Sequence, residues 1–244
     1  MELERCHERR EQSVPPRTEG GYTMLVRAFC PDDVAFATHL AELEGWGNAA
    51  ADLRNMLALE PHGCLIAEDG GQPVGMATTI AYGKLGWIGN LIVKRDCRGQ
   101  GYGRTLLQRA IAHLFDCGVR TVGLDATPET VELYRSVGFW PAFDTLHLHR
   151  PALPAPAPVG DSLVPLDPRG LHTVAMFDWA LFGSRRQRVL RALLALSPIA
   201  YVAQDEAGVA GYLLARRAGP QWILGPWVCV RSAESLLTRA LAAI

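Results

Sequence analysis

Trp87-Ile88-Gly89-Asn90-Leu91-Ile92-Val93, followed after four residues by Arg98-Gly99-Gln100-Gly101-Tyr102-Gly103, decides the fold of this chain. An apolar strand runs into a glycine loop, and the loop opens a helix. Three glycines let the backbone curl until several N–H groups point inward, and a helix start adds partial positive charge. Together these make an anion cradle suited to a pyrophosphate. Leu106, Leu107, Ala110, Ile111, Leu114 and Phe115 form one apolar face at helical spacing, and Gly118 can end the helix. The order Arg-x-x-Gly-x-Gly fits neither a dinucleotide fingerprint nor a Walker loop, which needs Gly-Lys-Ser/Thr.

Leu91 to Leu107 resembles the acetyl-CoA signature of the GNAT N-acetyltransferases. Leu133-Tyr134-Arg135-Ser136-Val137-Gly138-Phe139 resembles their later leucine-tyrosine-x-x-x-glycine-phenylalanine segment. The likeness covers roughly Met24 to Arg150. It implies an α/β (α+β) acyl-CoA N-acyltransferase fold, with a mixed central sheet flanked by helices. It also implies acetyl-CoA as cosubstrate, held by Leu91, Ile92, Val93, Arg98, Gly99, Gln100, Gly101, Tyr102, Gly103, Arg104 and Thr105. Thr127 stands where many family members have asparagine, so its cofactor contact is altered in kind.

Tyr134 matches the family tyrosine that protonates the departing sulfur. A phenol of pKa about 10 suits a thiolate whose conjugate acid lies near about 8.5. An aromatic core residue is the other reading of this position. Asp125, at a strand end, is the candidate general base, or equally an acceptor for the turn Ala126-Thr127-Pro128. Glu42 and Glu44 lie on the segment that walls the acceptor site in the family, with solvation as their plainer role; Asn90 could face the acceptor. His147 and His149 share a strand face but have no third ligand nearby, so no metal is expected.

With 244 residues and a formal charge of −1, the chain can bury a sizeable core and carries no global field for nucleic acid or membranes. No apolar run nears the roughly 20 residues of a membrane span, and the charged start lacks a signal peptide's apolar core. The six cysteines are scattered and read as reduced thiols. A cytoplasmic location is expected on these grounds.

Residues 1–22 are expected to form a disordered tail. Strands are expected at Leu25 to Phe29, Cys64 to Glu68, Val74 to Ala81, Trp87 to Lys94, Thr121 to Ala126 and Phe143 to His149. Helices are expected after Pro31, from an Asn48 cap to Leu59, and over Glu129 to Val137. Asp69-Gly70-Gly71 signals a hairpin. The first domain spans residues 23–150, and a stiff Pro-rich linker covers 151–160.

Residues 161–244 repeat the first domain in degenerate, incomplete form. Ala67 and Ala203, Asp69 and Asp205, Gly75 and Gly211, and Gly89 and Gly225 share one offset of 136. Beyond the strand the offset drops to 130, aligning Leu106-Leu107 with Leu236-Leu237. The lost residues hold the glycine loop in the first copy. In its place stands Val230-Arg231-Ser232-Ala233-Glu234-Ser235, which has no glycine and adds a carboxylate that repels phosphate. Trp179, Phe182, Trp222 and Trp227 are expected in this copy's core, and a partial sheet makes a homodimer possible.

These readings point to N-acetylation of a small-molecule amine. Two alternatives remain: an acyl-CoA-binding regulator without catalysis, and an enzyme that modifies a protein amine.

Overall fold

The computed structural model describes residues 24–46, 50–146, 148–151, 154, 157 and 163–244. The tail, the Asn48 cap, His147 and most of the proline-rich linker lie outside them. The chain divides into two compact units, Met1–Leu146 and His147–Ile244.

In the first unit the elements run β1 (Met24–Ala28), α1 (Val34–Leu43, entered through a 3-10 turn at Pro31–Asp33), α2 (Ala50–Leu59), β2 (Leu65–Asp69), β3 (Gln72–Tyr82), β4 (Leu85–Val93), α3 (Tyr102–Asp116), β5 (Thr121–Leu124) and α4 (Val131–Arg135). The five strands pair in chain order, antiparallel except for the parallel pair β4 and β5. The sheet is therefore mixed. Gly70 and Gly71 turn β2 into β3 with φ of 53° and 80°, the left-handed pair that a two-residue hairpin requires.

Side chains alternate along these strands and supply two cores. On one face Leu65, Ala67, Ala77, Ile88 and Val93 pack against Leu106, Leu107, Ala110 and Leu114 of α3. On the other, Ile66, Met76 and Ile92 pack against Val34, Ala37, Leu40 and Leu53 of α1 and α2. Burying each such leucine contributes about 1.5–3 kcal/mol. The predicted face of α3 is present except that Phe115 is 54% exposed. Gly118, at φ 81°, closes the helix with its N–H donating to the Phe115 carbonyl.

One expected strand is not formed among the described residues. The described residues of Phe143 to His149 are irregular, with Phe143, Leu146 and Leu148 more than three-quarters exposed. Their alternating pattern suits a strand, but a pattern becomes a strand only against a paired edge, and this segment has none.

The second unit runs β6 (Leu163–Pro165), α5 (Leu171–Phe182), α6 (Gln187–Leu196), β7 (Ile199–Asp205), β8 (Gly208–Ala218), β9 (Gln221–Cys229) and α7 (Ala233–Ala242). Its four strands pair in order, with α5 and α6 serving one core and α7 the other. The repeat holds at the level of register. Ala67 pairs Gly75 and Ala203 pairs Gly211; the following bulges fall at Ala67/Glu68 and Ala203/Gln204. The Lys94 N–H donates to Val74, as the Val230 N–H does to Ala210. The aromatic expectation is partly corrected: Trp179 is 37% exposed and carries the Arg185 guanidinium over its ring, 4.4 Å from the centroid. Trp222 and Trp227 are partly buried against the core.

Candidate active site

The pairing of β4 explains why a cleft opens where it does. β5 pairs with Leu85 to Ile88 and ends at Leu124, so Gly89 to Val93 have β3 on one side and no described strand on the other. Between the pairs Thr78–Gly89 and Met76–Ile92, β4 carries one residue more than β3. The bulge centres on Asn90, whose φ of 50° is left-handed, a conformation asparagine tolerates better than most residues. Its Nδ2 donates to Thr78 Oγ1 at 3.1 Å, so the side chain binds the bulge to β3.

Past Val93 the chain makes a 3-10 turn at Arg95–Cys97 and enters the glycine loop. Gly99 and Gly101 adopt φ of 78° and 93°, and Gly101 is the N-cap of α3. The first-turn N–H groups of α3 have no intrahelical acceptor and face the loop. A methyl group at Gly99 would meet nothing within 4 Å, and at Gly101 only Met24 Cε at 3.7 Å. The glycines are therefore required by backbone conformation, and open space lies beside them. This loop fits a pyrophosphate.

The arginines of the loop are more committed than sequence suggested. Arg98 Nε donates to the Val93 carbonyl at 3.0 Å and Nη2 to Glu44 at 2.6 Å. It fastens the loop to the end of β4 and to α1, and Glu44 serves that tie in addition to any solvation. Gln100 Nε2 donates to the Asp96 carbonyl at 3.3 Å and Arg104 to Ser136 Oγ at 2.9 Å. Thr105 Oγ1 donates to the Gly101 carbonyl at 3.1 Å.

Tyr134 is 8% exposed and belongs to the same buried group as Val93 and Tyr102, with Leu91 and Leu133 packed against it. Phe139 meets its ring edge-on, centroids 6.2 Å apart. Burial pushes the phenol above its ordinary value, countered only in part by a hydrogen bond with Thr130. The hydroxyl therefore carries its proton throughout the neutral range. Asp125 sits one residue beyond β5, exposed, accepting a hydrogen bond from Thr145 Oγ1 at 2.9 Å. Thr127 caps the 3-10 turn before α4, with its Oγ1 3.3 Å from that of Thr130. The structure thus groups Leu91, Val93, Tyr102 and Tyr134, and leaves Asp125 and Thr127 on the exposed side.

Cavities of about 360 and 370 Å³ flank α1, lined by residues such as Phe36, His39, Glu42 and Lys94. Neither is lined by Tyr134 or by the loop glycines, so the opening of β4 defines the site. Cys64 is no candidate nucleophile: burial, then the charge of Glu60, push its thiol up to about 12.

Sequence reasoning missed the buried ion cluster under β1. Arg27, 5% exposed, binds Asp33 through both terminal nitrogens at 2.6 and 2.8 Å, and Glu68 through Nε at 2.7 Å. Burial alone would lower the arginine's pKa, but the two carboxylates more than reverse this and hold it charged. A cation inside the apolar run Leu25 to Phe29, six residues before an aspartate, was the available signal.

Comparison with known proteins meets this geometry from outside. The acetyltransferase (GNAT) family matches residues 29–139, and a second acetyltransferase (GNAT) domain matches 174–244. This chain belongs to the GNAT acetyltransferase family. Its first copy is an acetyltransferase domain, and its second is a partial one. The holothin acyltransferase of a Pseudoalteromonas strain is 26% identical over 82% of this chain and 68% of its own length. A chloroplastic serotonin N-acetyltransferase of rice is 34% identical over 28% of this chain and 35% of its own. The fold is similar to that of a Pyrococcus horikoshii protein provisionally designated an acetyltransferase, with a TM-score of 0.73 and 23% identity over 93% of this chain and 79% of that one. No described helix is long and apolar enough to cross a membrane.

Proposed function

We propose that the first unit transfers an acetyl group from acetyl-CoA to a primary amine of a small molecule. The observation that carries this reading is the pair of left-handed glycines at the N-terminus of α3, set beside the unpaired half of β4. The loop N–H groups and the start of α3 would hold the pyrophosphate. The backbone of Gly89 to Val93 would receive the pantetheine arm and polarise the acetyl carbonyl. Acetyl-CoA supplies a thioester whose acyl carbon is open to attack by a neutral amine.

Tyr134 would give its proton to the departing sulfur. Its buried, protonated phenol suits that task, and it belongs to the same apolar cluster as Val93, against which Leu91 packs and where the arm would lie. Asp125 would take the proton of the amine, directly or through water, from the exposed rim of the cleft. The two curated relatives are named for holothin and for serotonin, which favours a small acceptor over a protein. The test is a panel of small amines and peptide amines with acetyl-CoA, read as thiol release. Turnover with a small amine and none with peptides is expected; turnover with peptides alone would overturn the acceptor class.

A further inference from the structure

At the far end of α3 from the glycine loop, three ligand-type side chains converge. His113 and Cys117 stand one helical turn apart at the C-terminal end of α3, and Glu60 follows directly on α2. His113 Nε2 lies 3.6 Å from Cys117 Sγ and 3.8 Å from Glu60 Oε1, and all three ligand atoms fall within 4.8 Å of one another. We propose that Glu60, His113 and Cys117 form a zinc site, with a water molecule completing the coordination.

The spacing is that of ligands around one ion. A nitrogen at about 2.0 Å and a sulfur at about 2.3 Å from a tetrahedral zinc stand about 3.5 Å apart. The nitrogen–sulfur distance already has this value, and the nitrogen–oxygen distance needs to close by only about half an ångström. The mixed nitrogen, oxygen and sulfur donor set selects a borderline cation over magnesium or calcium.

The surroundings are built for the cluster. The second oxygen of Glu60 accepts the Ala81 N–H at 3.1 Å, which orients the carboxylate from β3. The Gly63 N–H donates to the Glu60 carbonyl at 3.1 Å. A Cβ at residue 63 would come within 2.0 Å of Thr79 Oγ1 and 2.7 Å of His113 Nε2. The loop can close on the imidazole only because residue 63 has no side chain. The negative end of the α3 dipole adds attraction for a cation.

Binding breaks the Cys117 S–H bond and forms a sulfur–zinc bond; the proton goes to solvent and no electron is transferred. α3 is 15 residues long, so the ion would lie roughly 20 Å from the glycine loop. It would clamp the far end of the cofactor-bearing helix to the loop before β2.

The test titrates the full-length, reduced, chelator-treated chain with cobalt(II) and then zinc. One equivalent of cobalt should produce a near-ultraviolet thiolate charge-transfer band, which zinc then displaces. Cys117→Ser should abolish the band, and His113→Gln should weaken zinc binding at least about 100-fold. Cys117 is exposed, so its substitution leaves the fold intact. No band in the wild-type chain would overturn the proposal, leaving a metal-free hydrogen-bonded cluster. A band of unchanged strength in Cys117→Ser would also overturn it, placing the metal on another thiol such as Cys6 beside His7.

Discussion

Tyr134 and Arg27 are both buried polar residues, and their burial serves different ends. The phenol of Tyr134 belongs to the apolar cluster that also holds Val93, protonated and hydrogen-bonded with Thr130. Tyr134→Phe is expected to lower kcat by ~10²–10⁴-fold with little change in the KM for acetyl-CoA, because only the proposed proton donor is removed. A kcat within twofold of wild type would make Tyr134 a packing residue. Arg27 lies between two carboxylates and has no opening to serve. Arg27→Ala leaves Asp33 and Glu68 buried without a counter-charge, and a loss of about 3–5 kcal/mol is expected in denaturant unfolding. The same cluster sets an acid limit. Burial acts to raise the Asp33 carboxyl, but Arg27 and the Cys30 N–H hold it below the ordinary 3.8. Its stabilisation is therefore complete above that value and is lost as pH falls through the folded pKa. Wild-type stability measured from pH 5 down to 2 should fall more steeply than that of Arg27→Ala. Tyr134 was legible because it sits in a motif. The ion cluster was not, because Arg27, Asp33 and Glu68 meet only once β1 pairs with β2.

The glycine loop is the element on which the site depends, and its conformation separates need from coincidence. Gly101 has φ 93° with room for a methyl group, so Gly101→Ala tests the backbone alone. A left-handed alanine costs roughly 1–2 kcal/mol, and acetyl-CoA affinity should fall about tenfold. Calorimetry of Gly101→Ala beside the wild type measures this directly; unchanged affinity would mean that the loop can take another shape. The strands before and after the loop were readable from periodicity and turn residues, down to the Gly70-Gly71 hairpin. The segment Phe143 to His149 was misread because alternation shows a preference and says nothing of a partner edge. The bulge at Asn90 was unreadable for a related reason. It exists as a mismatch of register between two strands, and no single stretch of sequence contains it.

At the scale of the whole molecule, one architecture occurs twice with one glycine loop between its last central strand and the following helix. Registers and bulges repeat at a fixed offset as far as Lys94 and Val230. Then Arg95 to Gly101 lead into α3, whereas only Arg231 and Ser232 separate Val230 from α7. Arg231 there binds Asp205 at 2.6 Å, and Glu234 lies in the first turn of α7. The repeat and the excised loop were both visible in the sequence, because a constant offset followed by a break needs no knowledge of contacts. The second unit keeps the sheet but lacks the left-handed glycines that would hold a pyrophosphate. Titration of the full-length chain with acetyl-CoA in a calorimeter, alongside Gly101→Glu, tests the central claim most directly. One site per chain in the wild type, and none in the variant with a carboxylate among the phosphates, is the expected result. Two sites per chain, or undiminished binding in Gly101→Glu, would contradict it.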